Sequence, residues 1–271
     1  MSWRKVWAFY RRDLLLAATY PFSFVMDLSK TLFTLLLFFF IGRLVGAPSS
    51  TSAWLAPYGG DYFRFVLVGM VFSGFTAVAL TTLSSTIAFE KASGTLEMLF
   101  LTPTSFATLA IGKTLWQLTS VALKSAGMLA LGILFLDVDL RQADWVTAFA
   151  ILSLTILVFF GLGLFAAGVL LRWRESGVIE RLMDGVSRFL GGVYFPVSVL
   201  PSAVQKLSAL LPLTWGLEGL RQALFASASI GMLRTPLLLL CGATLLVLPS
   251  GALFFRWALA QARLRGTLGF N

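Results

Sequence analysis

The sequence predicts an all-α integral membrane protein, with six transmembrane helices preceded by an amphipathic helix at the membrane surface. Three observations predict it. The apolar residues come in blocks of 20 or more, each long enough to cross a hydrocarbon core of about 30 Å as a helix. Charged residues make up 12% of the chain against 58% hydrophobic, about half the charged fraction of a soluble domain, so a water-facing shell cannot be built. The polar segments between blocks last only a few turns, which leaves no room for an attached soluble enzyme domain.

Residues 1–21 form the predicted surface helix. At about 100° per residue, Trp3, Val6, Trp7, Tyr10 and Leu14 share one face, and Arg4, Lys5, Arg11 and Arg12 the other. Such a helix rests in the headgroup plane with its arginines in water, and Pro21 is its expected end. The first apolar block is longer than a signal peptide's and no small-residue cleavage pattern follows it, so it is expected to be a retained span.

Residues 22–271 form the transmembrane domain. Span one runs from about Phe22 to Val45. A loop with Pro48, Pro57, Gly59 and Gly60 leads to span two, about Tyr62 to Ala88. The stretch 89–103 is too polar for mid-membrane and too apolar for a free loop, and Gly94 within it can cap or break a helix. Span three covers about Leu109 to Leu136 and span four Trp145 to Leu171. Span five starts near Leu182 and is interrupted at Gly191, Gly192, Pro196 and Pro201, a break that must be buried in protein or lined by water. Residues 202–235 are expected as short helices at the far surface, with Pro212 and Trp215 as interface markers. The last span is Pro236 to Trp257, and 258–271 is a basic tail.

Sidedness follows from Lys and Arg near the span ends. One side carries 13 of the 21, from Arg4 and Lys5 through Lys91 and Arg172 to Arg265. The other carries six, from Arg43 to Arg234. The richer side is expected to be cytoplasmic, with both termini there, which requires an even number of spans. The net charge of +9 is thereby assigned to the membrane surface rather than to nucleic acid.

Catalytic chemistry has little to work with. The chain has no His and one Cys, Cys241, so neither an internal disulfide nor a His/Cys metal site can form. The 12 carboxylates mostly flank spans, and no metalloprotease or nucleophile-elbow pattern occurs. Ala107 to Thr114 ends in Gly-Lys-Thr like a nucleotide loop, but Ala107 stands where the first glycine belongs and no glycine-rich turn is present. Lys113 reads better as an anchor at the inner end of span three. Lys124 falls near the middle of that span, where a charge is costly; it either lines a conduit or subunit junction, or is a paired or snorkelling lysine. Lys30 sits three residues from Asp27 and is expected to pair with it. Glu218 and Arg221 are expected as a helical salt bridge at the outer surface. Gly161, Gly163, Gly168 and Gly185 allow close helix packing.

Four segments in order carry a resemblance. Glu90 to Pro103 is similar to the segment after the second span of ABC-2 type permeases, the membrane subunits of ATP-binding cassette exporters. Gly191 to Pro201 is similar to their broken fifth span, Leu211 to Trp215 with Glu218 to Arg221 to their outer helices, and Arg265 to Gly269 to a basic tail found in part of the family. The resemblance implies an ABC-2 (type V) exporter-like fold in the bacterial inner membrane. It also implies a second permease subunit alongside, as homodimer or related heterodimer, and an ATP-binding cassette ATPase beneath. No cofactor is then held by this chain, since ATP and magnesium bind the ATPase. By the same resemblance, residues 89–103 are the segment that couples to the ATPase. Phe89, Leu96, Leu99 and Phe100 would bury in its groove and Glu90, Lys91 and Glu97 would pair at the rim, with Gly94 and Pro103 also in the segment and 172–181 as a second contact. Tyr194 and Phe195 in the broken span join Lys124 as conduit or interface candidates. The expected function is export of a lipid, polysaccharide, drug or other amphiphile, not catalysis; the competing reading is a non-transporting membrane scaffold or assembly protein.

Overall fold

The computed structural model describes residues 3–45, 55, 61–94, 106–135, 143–173 and 177–264. These residues form helices: α1 (Trp3–Thr19), α2 (Pro21–Val45), α3 (Tyr62–Ala92), α4 (Phe106–Phe135), α5 (Trp145–Trp173), α6 (Val178–Leu190), a 3₁₀ turn (Val197–Val199), α7 (Ser202–Ser208), α8 (Pro212–Phe225) and α9 (Arg234–Leu264). Five of them, α2, α3, α4, α5 and α9, are long and apolar enough to cross a membrane. The chain is therefore a multi-pass membrane protein.

Six spans are expected from the sequence, the fifth of them broken, and five helices of spanning length are present among the described residues. The difference lies in α6, which has 13 residues and so reaches only about 20 Å. It stops where Gly191 and Gly192 follow, and Gly192 takes a φ of +79°, a left-handed conformation that suits glycine and ends a helix.

α5 is the hub of the bundle, packed against α9, α3 and α8. Its glycines make this possible. A Cβ on Gly163 would stand 2.7 Å from the carbonyl oxygens of Ala79 and Leu80 in α3, and one on Gly161 2.9 Å from the Leu248 backbone in α9. Gly168 likewise meets the Phe254 ring, whereas Gly185 in α6 has nothing within 4 Å. Around this hub Phe72, Ile151, Phe159, Leu213 and Leu217 are almost wholly buried. α2, by contrast, turns Phe33, Leu37, Phe40 and Leu44 outward, as suits a helix whose solvent is hydrocarbon.

α5 starts on a side-chain cap. Asp144 accepts from the Val146 and Thr147 N–H groups, both at 3.1 Å, and from the Thr147 hydroxyl at 2.7 Å. The Thr147 hydrogen bonds hold the Asp144 carboxyl below its ordinary value. The Asp144 N–H in turn donates to the Ala223 carbonyl, which ties the end of α8 to the start of α5.

That tie locates α8, which was expected at the far surface. Gly216 lies against Thr155 and Phe72, and Gly219 against Ile151 and Pro236, so α8 rises from mid-bundle to the start of α5. Leu213, Leu217, Leu220 and Leu224, spaced at three and four residues, turn one apolar face into the core. The indole N–H of Trp215 donates to the Ala209 carbonyl at 2.8 Å.

α1 is separate from α2, broken at Tyr20 ahead of Pro21. It packs against the first half of α4, where Gly112 leaves room for Phe9 and the Val6 carbonyl. Val6 is buried and Tyr10 sits edge-on to Trp116 at 5.8 Å. Trp3, Trp7 and Leu14 stay exposed beside this contact, so the apolar face is divided between α4 and the surroundings.

Candidate functional site

The described part of the coupling stretch is its beginning. α3 ends in a capped turn, with Ser93 N–H donating to the Phe89 carbonyl at 2.9 Å and Gly94 N–H to that of Lys91 at 3.1 Å. Gly94 takes a φ of +68°, the left-handed residue that commonly ends a helix. Phe89 is exposed, ready to be covered. Glu90 is not: only 5% exposed, it faces inward. Its carboxylate lies 3.9 Å from Lys113 Nζ, which also stands 4.8 Å from the centre of the Phe89 ring. Glu90 thus joins α3 to α4 within the chain instead of standing at a rim. Leu96, Glu97, Leu99, Phe100 and Pro103 lie outside the described residues, as does the middle of the link 172–181.

Lys124 is paired. Its Nζ is 3.2 Å from Asp27 Oδ2, and Lys30 approaches the other oxygen of the same carboxylate at 3.8 Å. α4 has 30 residues, about 45 Å, and its early turns run beside α1. Lys124 is therefore level with Asp27, only six residues into α2. Its counter-ion thus lies on the neighbouring helix.

Tyr194 and Phe195 fall in the chain between α6 and the 3₁₀ turn. Tyr194 stacks on Phe38 of α2 with ring centres 5.3 Å apart, and Phe195 meets Phe189 edge-on at 5.1 Å. Behind them the broken backbone is satisfied by Arg221. Its Nη1 donates to the Gly192 carbonyl at 2.9 Å, and its Nη2 to the carbonyls of Phe65 at 3.0 Å and Val193 at 3.3 Å. The guanidinium carbon lies 3.4 Å from the Phe65 ring centre. Arg221 is 3% exposed, so it belongs to the interior and not to the outer surface. The break in span five is thus buried in protein, the first of the two conditions such a break must meet. The sequence does contain a signal for this: Arg221 follows Leu217 by four residues and so lies on the apolar stripe of α8.

Nothing in this arrangement resembles a catalytic centre. Its charges are paired in helix-to-helix ties, and the described residues contain no group of His, Cys, Asp and Glu suited to a metal ion.

Comparison with protein families matches residues 4–225 to the ABC-2 type transporter. The chain is 27% identical over 173 residues to Nodulation protein J of Rhizobium meliloti (strain 1021), a match covering 62% of this chain and 64% of that protein. It is 26% identical over 186 residues to Nodulation protein J of Neorhizobium galegae, covering 67% and 69%. The chain thus spans just under two thirds of the first of these relatives. Members of the family are non-catalytic transport subunits without an ATP-hydrolysing site of their own, in agreement with the rejection of a nucleotide loop at Ala107 to Thr114. The match runs from α1 through the broken fifth segment to the end of α8, and on that basis the chain belongs to the ABC-2 type transporter family.

Proposed function

We propose that this chain is the membrane permease subunit of an exporter, working with a second permease subunit and driven by a separate ATP-binding cassette ATPase. The family match over 4–225 in a multi-pass membrane chain carries this reading. The proposed cargo class is an amphiphile such as a lipid, polysaccharide or drug. Coupling is assigned to 89–103, for which the exposed Phe89 just before the Gly94 cap offers the first apolar contact. Glu90 is reassigned within this proposal: it braces the base of the segment through Lys113, which leaves Glu97 as the acidic group at the rim. In the same proposal α1 rests at the inner membrane surface and both termini are cytoplasmic.

The test is co-purification with a candidate ATP-binding cassette ATPase from the same organism and measurement of ATP hydrolysis and transport in proteoliposomes. Glu97→Lys and Leu99→Ala are expected to weaken the complex about tenfold or more, or to uncouple hydrolysis from transport, while membrane insertion is unchanged. Unchanged affinity and transport in both variants would remove the support for this coupling segment.

A further inference from the structure

Where α3 approaches its end and α6 begins, the two helices flank a half-open cavity of about 300 Å³. Its depth can be read from its walls. Thr81 to Ala88 precede Glu90 by two to nine residues, so they lie roughly 3–14 Å further into the bundle. Glu90 itself is level with α1, through Lys113 and the adjoining Gly112. The cavity therefore sits just inside the plane marked by the amphipathic helix, at the depth where lipid headgroups meet acyl chains.

Its chemistry is directional. Glu180 forms part of the wall at 3% exposure, and its Oε1 has no hydrogen-bond partner among the described residues. The Ser84 hydroxyl, on a residue 4% exposed, is in the same position. An unmatched buried carboxylate is costly and is commonly the mark of a site rather than of packing. Two further hydroxyls have their protons committed elsewhere: Thr81 donates to the Ala77 carbonyl at 2.8 Å and Ser85 to the Thr82 carbonyl at 3.1 Å. Both therefore offer lone pairs. The lining is mostly apolar, and the polar atoms set into it are acceptors beside one carboxylate, which suits a compact cation with several N–H donors.

The mouth has the opposite sign. Ser85 and Arg181 are exposed, and Arg181 folds over Gly177, where a Cβ would stand 3.0 Å from its Nη1. A guanidinium fork at the rim recognises phosphate oxygens. A carboxylate inside and a guanidinium outside, on adjacent residues, match a head group that ends in an ammonium and carries a phosphate a few atoms behind.

We infer that this cavity binds the head group of a primary-amine zwitterionic phospholipid, of the phosphatidylethanolamine class, with its ammonium on Glu180 and its phosphate at Arg181. A choline head carries no N–H and is bulkier, so it is discriminated against.

The experiment uses the full-length protein in nanodiscs made from phosphatidylcholine with 10 to 20 mole percent, roughly, of either phosphatidylethanolamine or phosphatidylglycerol. Lipid retained through mild detergent is read by native mass spectrometry. The wild-type protein is expected to retain phosphatidylethanolamine at least about tenfold over its bulk ratio, and Glu180→Gln to abolish that enrichment. Glu180→Asp should keep part of it. Ala88→Phe, which fills the cavity from α3 and leaves both charges in place, should also abolish it, so the result does not depend on one variant folding. Equal retention of the three lipids by the wild-type protein, or enrichment unchanged in folded Glu180→Gln and Ala88→Phe, would overturn the assignment.

Discussion

Arg221 shows how one charge can organise a membrane-embedded break. It supplies hydrogen bonds to carbonyls from two segments, Phe65 in α3 and Gly192 and Val193 after α6. Charged hydrogen bonds of this kind are worth about 1.5–3 kcal/mol each when a partner is lost, though not additively. Arg221→Ala is expected to destabilise the folded chain by about 3 kcal/mol or more. Arg221→Lys should recover only a minor part, because a point-charge ammonium cannot fork between the two segments. Thermal unfolding in detergent measures both; an Arg221→Ala midpoint equal to wild type would refute the clasp. Asp27 and Lys124 act at the same scale. Their side chains are half and one-quarter exposed, so the pair is worth on the order of 1 kcal/mol. In a double-mutant cycle, Lys124→Ala should cost more in the wild-type background than in Asp27→Ala by about that amount, and a coupling of zero would make the pair incidental. The Asp27–Lys30 pair was legible in sequence because its partners are three residues apart. The roles of Arg221, Lys124 and Glu90 were not, since each is decided by a group on another helix.

Elements were legible to the extent that their physics is local. The long apolar runs and Gly94 announce where helices lie and where α3 stops. The small residues of α5 announce close packing, though not which helix each glycine meets. The burial of α8 was less legible: Pro212, Trp215, Glu218 and Arg221 look like surface chemistry, and only the Leu213, Leu217, Leu220 and Leu224 stripe, once matched to a core, shows that one face is buried. The joint that holds α8 to α5 also makes a testable pH dependence. Hydrogen bonds from Thr147 lower the Asp144 carboxyl from its model-compound value of 3.8. A depressed carboxylate stabilises the fold above its unfolded-state value and loses that contribution as the pH falls through the folded-state value. Asp144→Asn retains a capping oxygen but does not titrate. The stability difference between wild type and Asp144→Asn should therefore stay constant from pH 7 down to about 5 and shrink through the acid range below about 4. A difference that does not change over this range would show that the cap contributes no pH-dependent stability.

The whole molecule has a polarity that its packing and its charges express independently. Leu83 and Ile87 late in α3, Ala110 early in α4, Ala167 and Leu170 late in α5 and Phe255 late in α9 form one cluster. The start of α4 and the end of α9 thus share one end of the bundle, and α1, packed beside Gly112, shares it too. The other end holds Asp144, the close of α8 and the start of α9, joined through Ala223 and Pro236. Between them α6 carries the chain from the first end to Val193, beside Gly69 near the start of α3, and α8 completes the passage. We propose that the 13-residue α6 together with α8 serves as a sixth crossing, which would keep the crossing number even with five long helices. Of the 21 Lys and Arg residues, the larger share is assigned by the sequence to the side that holds α1, and on the positive-inside rule we propose that this end faces the cytoplasm. The expected outcome is read by cysteine labelling after the one native thiol is removed by Cys241→Ser. In intact cells an impermeant maleimide should modify Ser50→Cys and spare Ser176→Cys, and permeabilisation should expose the latter. Labelling of Ser176→Cys from outside with protection of Ser50→Cys would invert the molecule. Labelling of both from outside would break the α5–α6 hairpin on which the short fifth crossing depends.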